Sequence, residues 1–145
     1  MDTEPVTSPL ITNQTLYSTP QYVLLDVNRR IGPKLKPSDS KTGHTAIYGF
    51  TDKSFYDAFR LNTTQPLIPY PLVKRYLTKM IEDAGDTLSL IVIDASGPSE
   101  LTLHAAAIAD VLEAHVKGDK KVSATHQLTF DAASSSYKVN LVDNA

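Results

Sequence analysis

Apolar positions recur at helical spacing in two stretches of the chain. Leu72, Val73, Tyr76, Leu77, Met80, Ile81 and Ala84 form one stripe, the signature of an amphipathic helix. It starts near Pro71, whose missing N–H is tolerated at the first helical position, and Gly85 supplies a left-handed stop. Leu101, Ala105, Ile108, Ala109, Leu112 and Val116 form the second stripe. They predict a helix from Pro98 to Gly118, with Gly97 as N-cap and Glu100 in the first turn. Thr51 or Asp52 can cap a brief third helix running to about Arg60.

Elsewhere the pattern is that of strands. Gln21 to Val27 is a short apolar run with β-branched and aromatic members, and His44 to Phe50 reads as a further short strand. Leu88 to Asp94 is apolar nearly throughout, as expected of a strand covered on both faces. Val122, Ala124, His126, Leu128 and Phe130 alternate with polar residues, and Tyr137, Val139 and Leu141 do the same. This is a hairpin with its turn at Asp131 to Ser136. Asn28 to Gly43 carries Gly32, Pro33 and Pro37 and reads as a loop, and Leu61 to Pro69 is irregular.

The expected fold is α+β and sandwich-like. A small mixed sheet carries two long helices packed on it and a C-terminal hairpin. Residues 1–20 stand apart as an extended N-terminal arm, because Pro5, Pro9 and Pro20 break any periodic element and Thr, Ser and Asn dominate. Residues 21–145 form a single domain. The arm still carries Val6, Leu10, Ile11, Leu16 and Tyr17, which give it apolar surface to bury against a partner.

Composition narrows the function classes. The chain has 145 residues, enough to bury roughly two-thirds of its extended surface without metal or crosslinks. It has no cysteine, which excludes disulfides, thiolate chemistry and zinc sites built on Cys. That tilts the expected address towards the cytoplasm or a virion. No apolar run approaches the ~20 residues of a membrane helix, and Met1 to Pro20 lacks the charged and apolar regions of a signal peptide. The net charge of −2 is too near neutral to imply an acidic partner for the molecule as a whole.

Four sets of residues are candidates for chemistry. Asp26 and Asp94 each end a predicted strand. Were those strands parallel neighbours, the two carboxylates would share the sheet edge where α/β sheets place ligands, and could hold Mg²⁺ for phosphoryl transfer or hydrolysis. The simpler reading is that each caps a turn. Ser96 to Ser99 joins a strand to a predicted helix start, where an anion could sit. But neither a P-loop nor a dinucleotide fingerprint is present, and an ordinary cap accounts for it. The most one-sided charge cluster is Arg29, Arg30, Lys34, Lys36, Lys41 and His44 against Asp39 alone. It can meet a phosphate backbone or an acidic protein face, or simply be solvated. The four histidines do not assemble: His104 and His115 lie on one predicted helix eleven residues apart, and His126 reads as a core residue. There is no GxSxG turn and no cofactor motif.

These readings lead to three expectations. The first is a non-catalytic structural or assembly protein, such as a virion decoration, capsid or tail component, which docks on like or unlike subunits through its arm. The second is a nucleic-acid or acidic-partner binding module that uses the loop 28–44. The third is a metal-assisted phosphotransferase or hydrolase that uses Asp26 and Asp94.

Overall fold

The architecture follows from one strand that is apolar on both sides. In a computed structural model, which describes residues 15–27, 29–36, 44–85 and 87–141, that strand lies in the middle of a mixed α+β sheet. In chain order the strands are β1 (Thr15–Ser18), β2 (Tyr22–Asp26), β3 (Arg29–Arg30), β4 (His44–Phe50), β5 (Ile68–Pro71), β6 (Leu88–Ile93), β7 (Thr102–Ala107), β8 (Lys121–Ala124), β9 (His126–Asp131) and β10 (Ser136–Leu141). The helices are α1 (Lys53–Leu61), α2 (Lys74–Ala84) and α3 (Ile108–Lys117).

The main sheet runs β10-β9-β7-β6-β4-β2, with β3 and β5 both paired to β2. β4 and β6 are parallel, and every other pair is antiparallel. Leu90 and Val92 of β6 face one core and Ile91 and Ile93 the other, as the period of two requires. The first core is aromatic: Tyr48 and Phe50 of β4 meet Tyr56 and Phe59 of α1. Phe50 and Phe59 pack edge to face at 5.6 Å between centroids, a favoured aromatic geometry. On the opposite face Leu77 of α2 and Ile108 and Val111 of α3 pack on Val23, Ile47 and Ile91.

Helix ends behave as their residues dictate. Asp52 is the N-cap of α1, its carboxylate accepting from the Ser54 backbone N–H at 3.2 Å. Gly85 and Gly118 follow α2 and α3 with φ of 58° and 73°, a region that favours glycine. α2 starts at Lys74 rather than near Pro71, because residues 68–71 pair with β2 instead.

The second predicted helix needs a larger correction. Residues 102–107 are strand β7, and the helix begins only at Ile108. Leu103 and Ala105 point into the aromatic core and Ala106 into the other. The alanines favour helix locally, but here the segment has β6 on one side and β9 on the other. Pairing on both edges overrides propensity. The later start also rotates the buried face of α3 to Ile108, Val111 and Ala114, which leaves Ala109 and Val116 exposed. His104 therefore lies on a strand and His115 on a helix.

The last part of the predicted arm is ordered against its own domain. β1 pairs antiparallel with β8 from Thr15↔Ala124 to Ser18↔Lys121. Tyr17 stacks on His104 at 5.8 Å, and Thr19 Oγ1 donates to the Asp119 carbonyl oxygen at 2.9 Å. Leu16 faces outward, 61% exposed. Val6, Leu10 and Ile11 lie outside the described residues.

Candidate functional site

β2 can pair with β4 only at Tyr22↔Phe50 and Val23↔Gly49. Beyond Val23 the two strands part, and the chain's own residues 29–31 enter the gap. Ile31 donates its N–H to the Leu24 carbonyl oxygen at 3.2 Å, and its carbonyl accepts the Tyr48 N–H at 2.9 Å. Gly32 then lies so close to β4 that a Cβ there would sit 1.9 Å from the Ala46 carbonyl oxygen. Only glycine allows that approach.

The segment continues to the far edge of the sheet. Leu35 bridges Tyr137 of β10. The Lys36 N–H donates to the Tyr137 carbonyl at 2.8 Å, and the Tyr137 N–H to the Lys34 carbonyl at 2.9 Å. In a flat sheet β4 and β10 would be about 19 Å apart, four strand spacings. The four Cα–Cα steps from Ile31 to Leu35 can span at most about 14 Å. The sheet must therefore curl around its aromatic core, and residues 31–36 strap the two sides together.

Under this strap is a pocket of about 470 Å³. Asp26, Arg29, Arg30 and Lys34 give it its charge, and Ile31, Pro33, Phe59, Pro98, Phe130 and Tyr137 its apolar wall. Tyr48 and Gln65 complete the polar lining together with Ser135. Tyr48 is only 4% exposed, and its hydroxyl makes no hydrogen bond among the described residues. Burial raises its pKa, with the neighbouring Tyr137 and Glu100 adding to the effect, so the phenol stays protonated and able to donate. The Tyr137 hydroxyl is already used, donating to the Glu100 carbonyl oxygen.

The basic residues divide by face. Arg29 pairs with Asp26, and Arg30 with Leu25, across β2 and β3, so they emerge on opposite sides. Arg30 borders the pocket, but its guanidinium lies over the Tyr76 ring on α2. Lys36 is paired to Asp131 at 2.9 Å. Arg29 and Lys34 are exposed, and among the described residues neither forms an ion pair. Lys41 lies outside the described residues.

Asp26 and Asp94 are not brought to one edge. β6 is parallel to β4, and β2 antiparallel to it, so the two carboxylates leave at opposite ends of the sheet. Asp26 accepts from Gln65 Nε2 at 3.3 Å. Asp94 accepts from the Thr51 N–H at 2.8 Å and from Thr51 Oγ1 at 2.7 Å. Among the described residues no three His, Asp or Glu side chains are grouped to hold a metal. The Ser96–Ser99 turn precedes a strand, not a helix, and the Ser96 N–H is taken by the Glu100 carboxylate at 2.7 Å. An anion site there is occupied by the chain itself. His126 is buried, with its Nδ1 2.9 Å from Thr125 Oγ1, and His115 Nε2 lies 2.9 Å from the Pro20 carbonyl oxygen.

The sequence pointed to Arg29 and Lys34, and it offers Tyr48 and Phe59 soon after the basic loop as stacking partners, but it did not point to Phe130 or Tyr137 as their companions. Those aromatics belong to four different elements, and no spacing rule joins them. No family model, curated protein or solved structure matches the chain. No helix among the described residues is long and apolar enough to cross a membrane.

Proposed function

We propose that this chain is a non-catalytic binding module that takes an anionic ligand in the pocket beneath residues 29–36. One observation carries the reading. Arg29 and Lys34 stand unpaired among the described residues at the rim of a concave site, held by a strap bonded at both ends. A solvated loop has no need of such anchoring. Three cations, Arg29, Arg30 and Lys34, against one carboxylate, Asp26, leave a local positive balance in a chain that is acidic overall, and that favours a negative partner.

The test is charge reversal. Arg29→Glu with Lys34→Glu should weaken binding of an anion panel (inorganic phosphate, an oligonucleotide, an acidic peptide and aryl carboxylates) roughly tenfold or more. It should also flatten the salt dependence. If the wild-type protein binds no member of the panel at low salt, the reading is wrong.

A second reading, assembly through the N-terminal arm, draws support from Leu16. This residue is exposed on a strand whose neighbours are otherwise tied down. In the sequence it continues the apolar series Val6, Leu10 and Ile11. Removing residues 1–14 keeps β1 and every contact described above. If this reading holds, the truncated protein folds but loses self-association or partner capture. Unchanged assembly by light scattering would dismiss it.

A further inference from the structure

Resting on the anion-binding reading, we infer that the pocket takes the dianionic phosphate of a small monoester, with Arg29 and Lys34 on the phosphate and the ester group towards solvent. The charge of the lining is the first argument. Arg29, Arg30 and Lys34 supply three positive charges against the single carboxylate of Asp26, a balance of two. Arg30 keeps its full charge, although its guanidinium lies over the neutral Tyr76 ring. Lys36 and Asp131 stand outside the lining and answer each other at 2.9 Å. In the same field a dianion gains twice what a monoanion gains, so the surplus selects the more highly charged ligand.

Donor supply is the second. Arg29 and Lys34 are exposed, and among the described residues neither forms an ion pair. A guanidinium offers a planar fork of donors and an ammonium a cluster of them. The terminal oxygens of a phosphate can accept from both at once. The backbone on either side is fixed: Arg29 lies in β3 against β2, and the Lys34 carbonyl accepts the Tyr137 N–H at 2.9 Å. A dicarboxylate spreads its charge to two ends, and an end that seeks Arg29 meets Asp26, its partner across β2 and β3. A phosphate monoester carries both charges on one centre.

Shape is the third. The pocket holds about 470 Å³ and is half open to solvent, a size suited to one small ligand. An open mouth lets the ester group leave into water while the phosphate stays inside. A phosphodiester carries one charge and is substituted on both sides, so it matches neither the charge balance nor the single mouth.

Such a ligand brings its own pH signature, because the second proton of a phosphate monoester leaves near pH 6. No histidine lines the pocket among the described residues. Burial raises the Tyr48 and Tyr137 phenols, and the hydrogen bond from Lys36 holds Asp131 below its ordinary value. The remaining acids nearby are Asp26 in the lining and Glu100 behind Tyr137.

The experiment is calorimetry on the full chain with ethyl phosphate, diethyl phosphate, sulfate, succinate and acetate. At neutral pH ethyl phosphate should bind at least roughly tenfold tighter than diethyl phosphate or acetate, and severalfold tighter than succinate. From about pH 7.5 to about pH 5.5 its affinity should fall roughly fourfold as the dianion is depleted, while that of sulfate, a dianion throughout, stays level. Arg29→Gln with Lys34→Gln should erase the preference for the monoester over the diester. Asp26→Asn keeps an acceptor for Gln65 and removes the opposing charge, so it should tighten ethyl phosphate severalfold, a gain that misfolding cannot mimic. Circular dichroism checks that each variant folds. If diethyl phosphate or acetate binds as tightly as ethyl phosphate, and binding still needs Arg29 and Lys34, the dianion inference fails and the anion reading survives. A parallel fall for sulfate assigns the pH effect to the protein and overturns selection of the dianion. Equal binding of succinate overturns phosphate as the recognised group, and unchanged affinity in Asp26→Asn overturns the charge count. A phosphoserine peptide or an oligonucleotide that binds roughly tenfold tighter than ethyl phosphate overturns the small-molecule assignment. Absence of binding by every anion overturns both this inference and the reading beneath it.

Discussion

The guanidinium carbon of Arg30 lies 3.3 Å from the centroid of the Tyr76 ring and 5.8 Å from that of Tyr70. Its Nε is buried with no hydrogen-bond partner among the described residues. The residue most like Arg29 by sequence position is thus a packing element, worth roughly 0.5–2 kcal/mol through the ring faces. Arg30→Ala is expected to lower stability by about that amount in urea unfolding. It should also weaken anion binding, but less than Arg29→Gln does, because the Arg30 charge borders the pocket while its guanidinium is turned onto Tyr76. A loss of affinity equal to that of Arg29→Gln would show that the two faces are not separate.

Asp94 has a pH signature. Burial raises its carboxyl pKa from the ordinary 3.8, opposed by the two hydrogen bonds from Thr51 and reinforced by the nearby charge of Asp52. The folded protein therefore holds this proton more tightly than the unfolded chain does. Its favourable contribution is complete below the ordinary value and is lost as pH rises through the raised one. Asp94 also has a φ of 55°, a region that asparagine tolerates better than most residues. Asp94→Asn should keep an acceptor for the Thr51 N–H and flatten this part of the stability profile in mildly acidic buffer. An unchanged slope in denaturation series across that range would contradict the assignment.

Gly32→Ala tests the strap. The new methyl carbon would meet the Ala46 carbonyl oxygen and the Ile47 Cα, at 1.9 and 2.9 Å, and both are backbone atoms that cannot turn aside. Overpacking of this kind costs about 1–3 kcal/mol. The expected outcome is a destabilised protein whose anion binding is lost together with the Ile31–Tyr48 hydrogen bond. Wild-type affinity in this variant would mean that the strap is not part of the site.

Much of this fold is legible in local pattern. Asp52 marks α1 because a carboxylate at that position satisfies a free helical N–H, and Leu88–Ile93 reads as a covered strand because nothing polar but Ser89 interrupts it. The hairpin of β9 and β10 follows from alternation. What local pattern misses is set by distant partners. The alanines of β7 are strand only because β6 and β9 flank them, and Thr15–Ser18 only because β8 lies about a hundred residues further along the chain. For the site, the cations were visible as a charge run. Which of them remained unpaired was not, since Asp131 and Tyr76 remove Lys36 and Arg30 from outside that run.

The bridge between Leu35 and Tyr137 sets an order of events during folding. Contacts between residues so far apart in sequence form late, after local helices and hairpins, because the intervening chain must first be closed into a loop. On the ribosome Arg29 and Lys34 emerge about a hundred residues before Phe130 and Tyr137. A nascent or C-terminally clipped chain thus carries the charges without the cavity, and ligand capture becomes a property of the finished polypeptide.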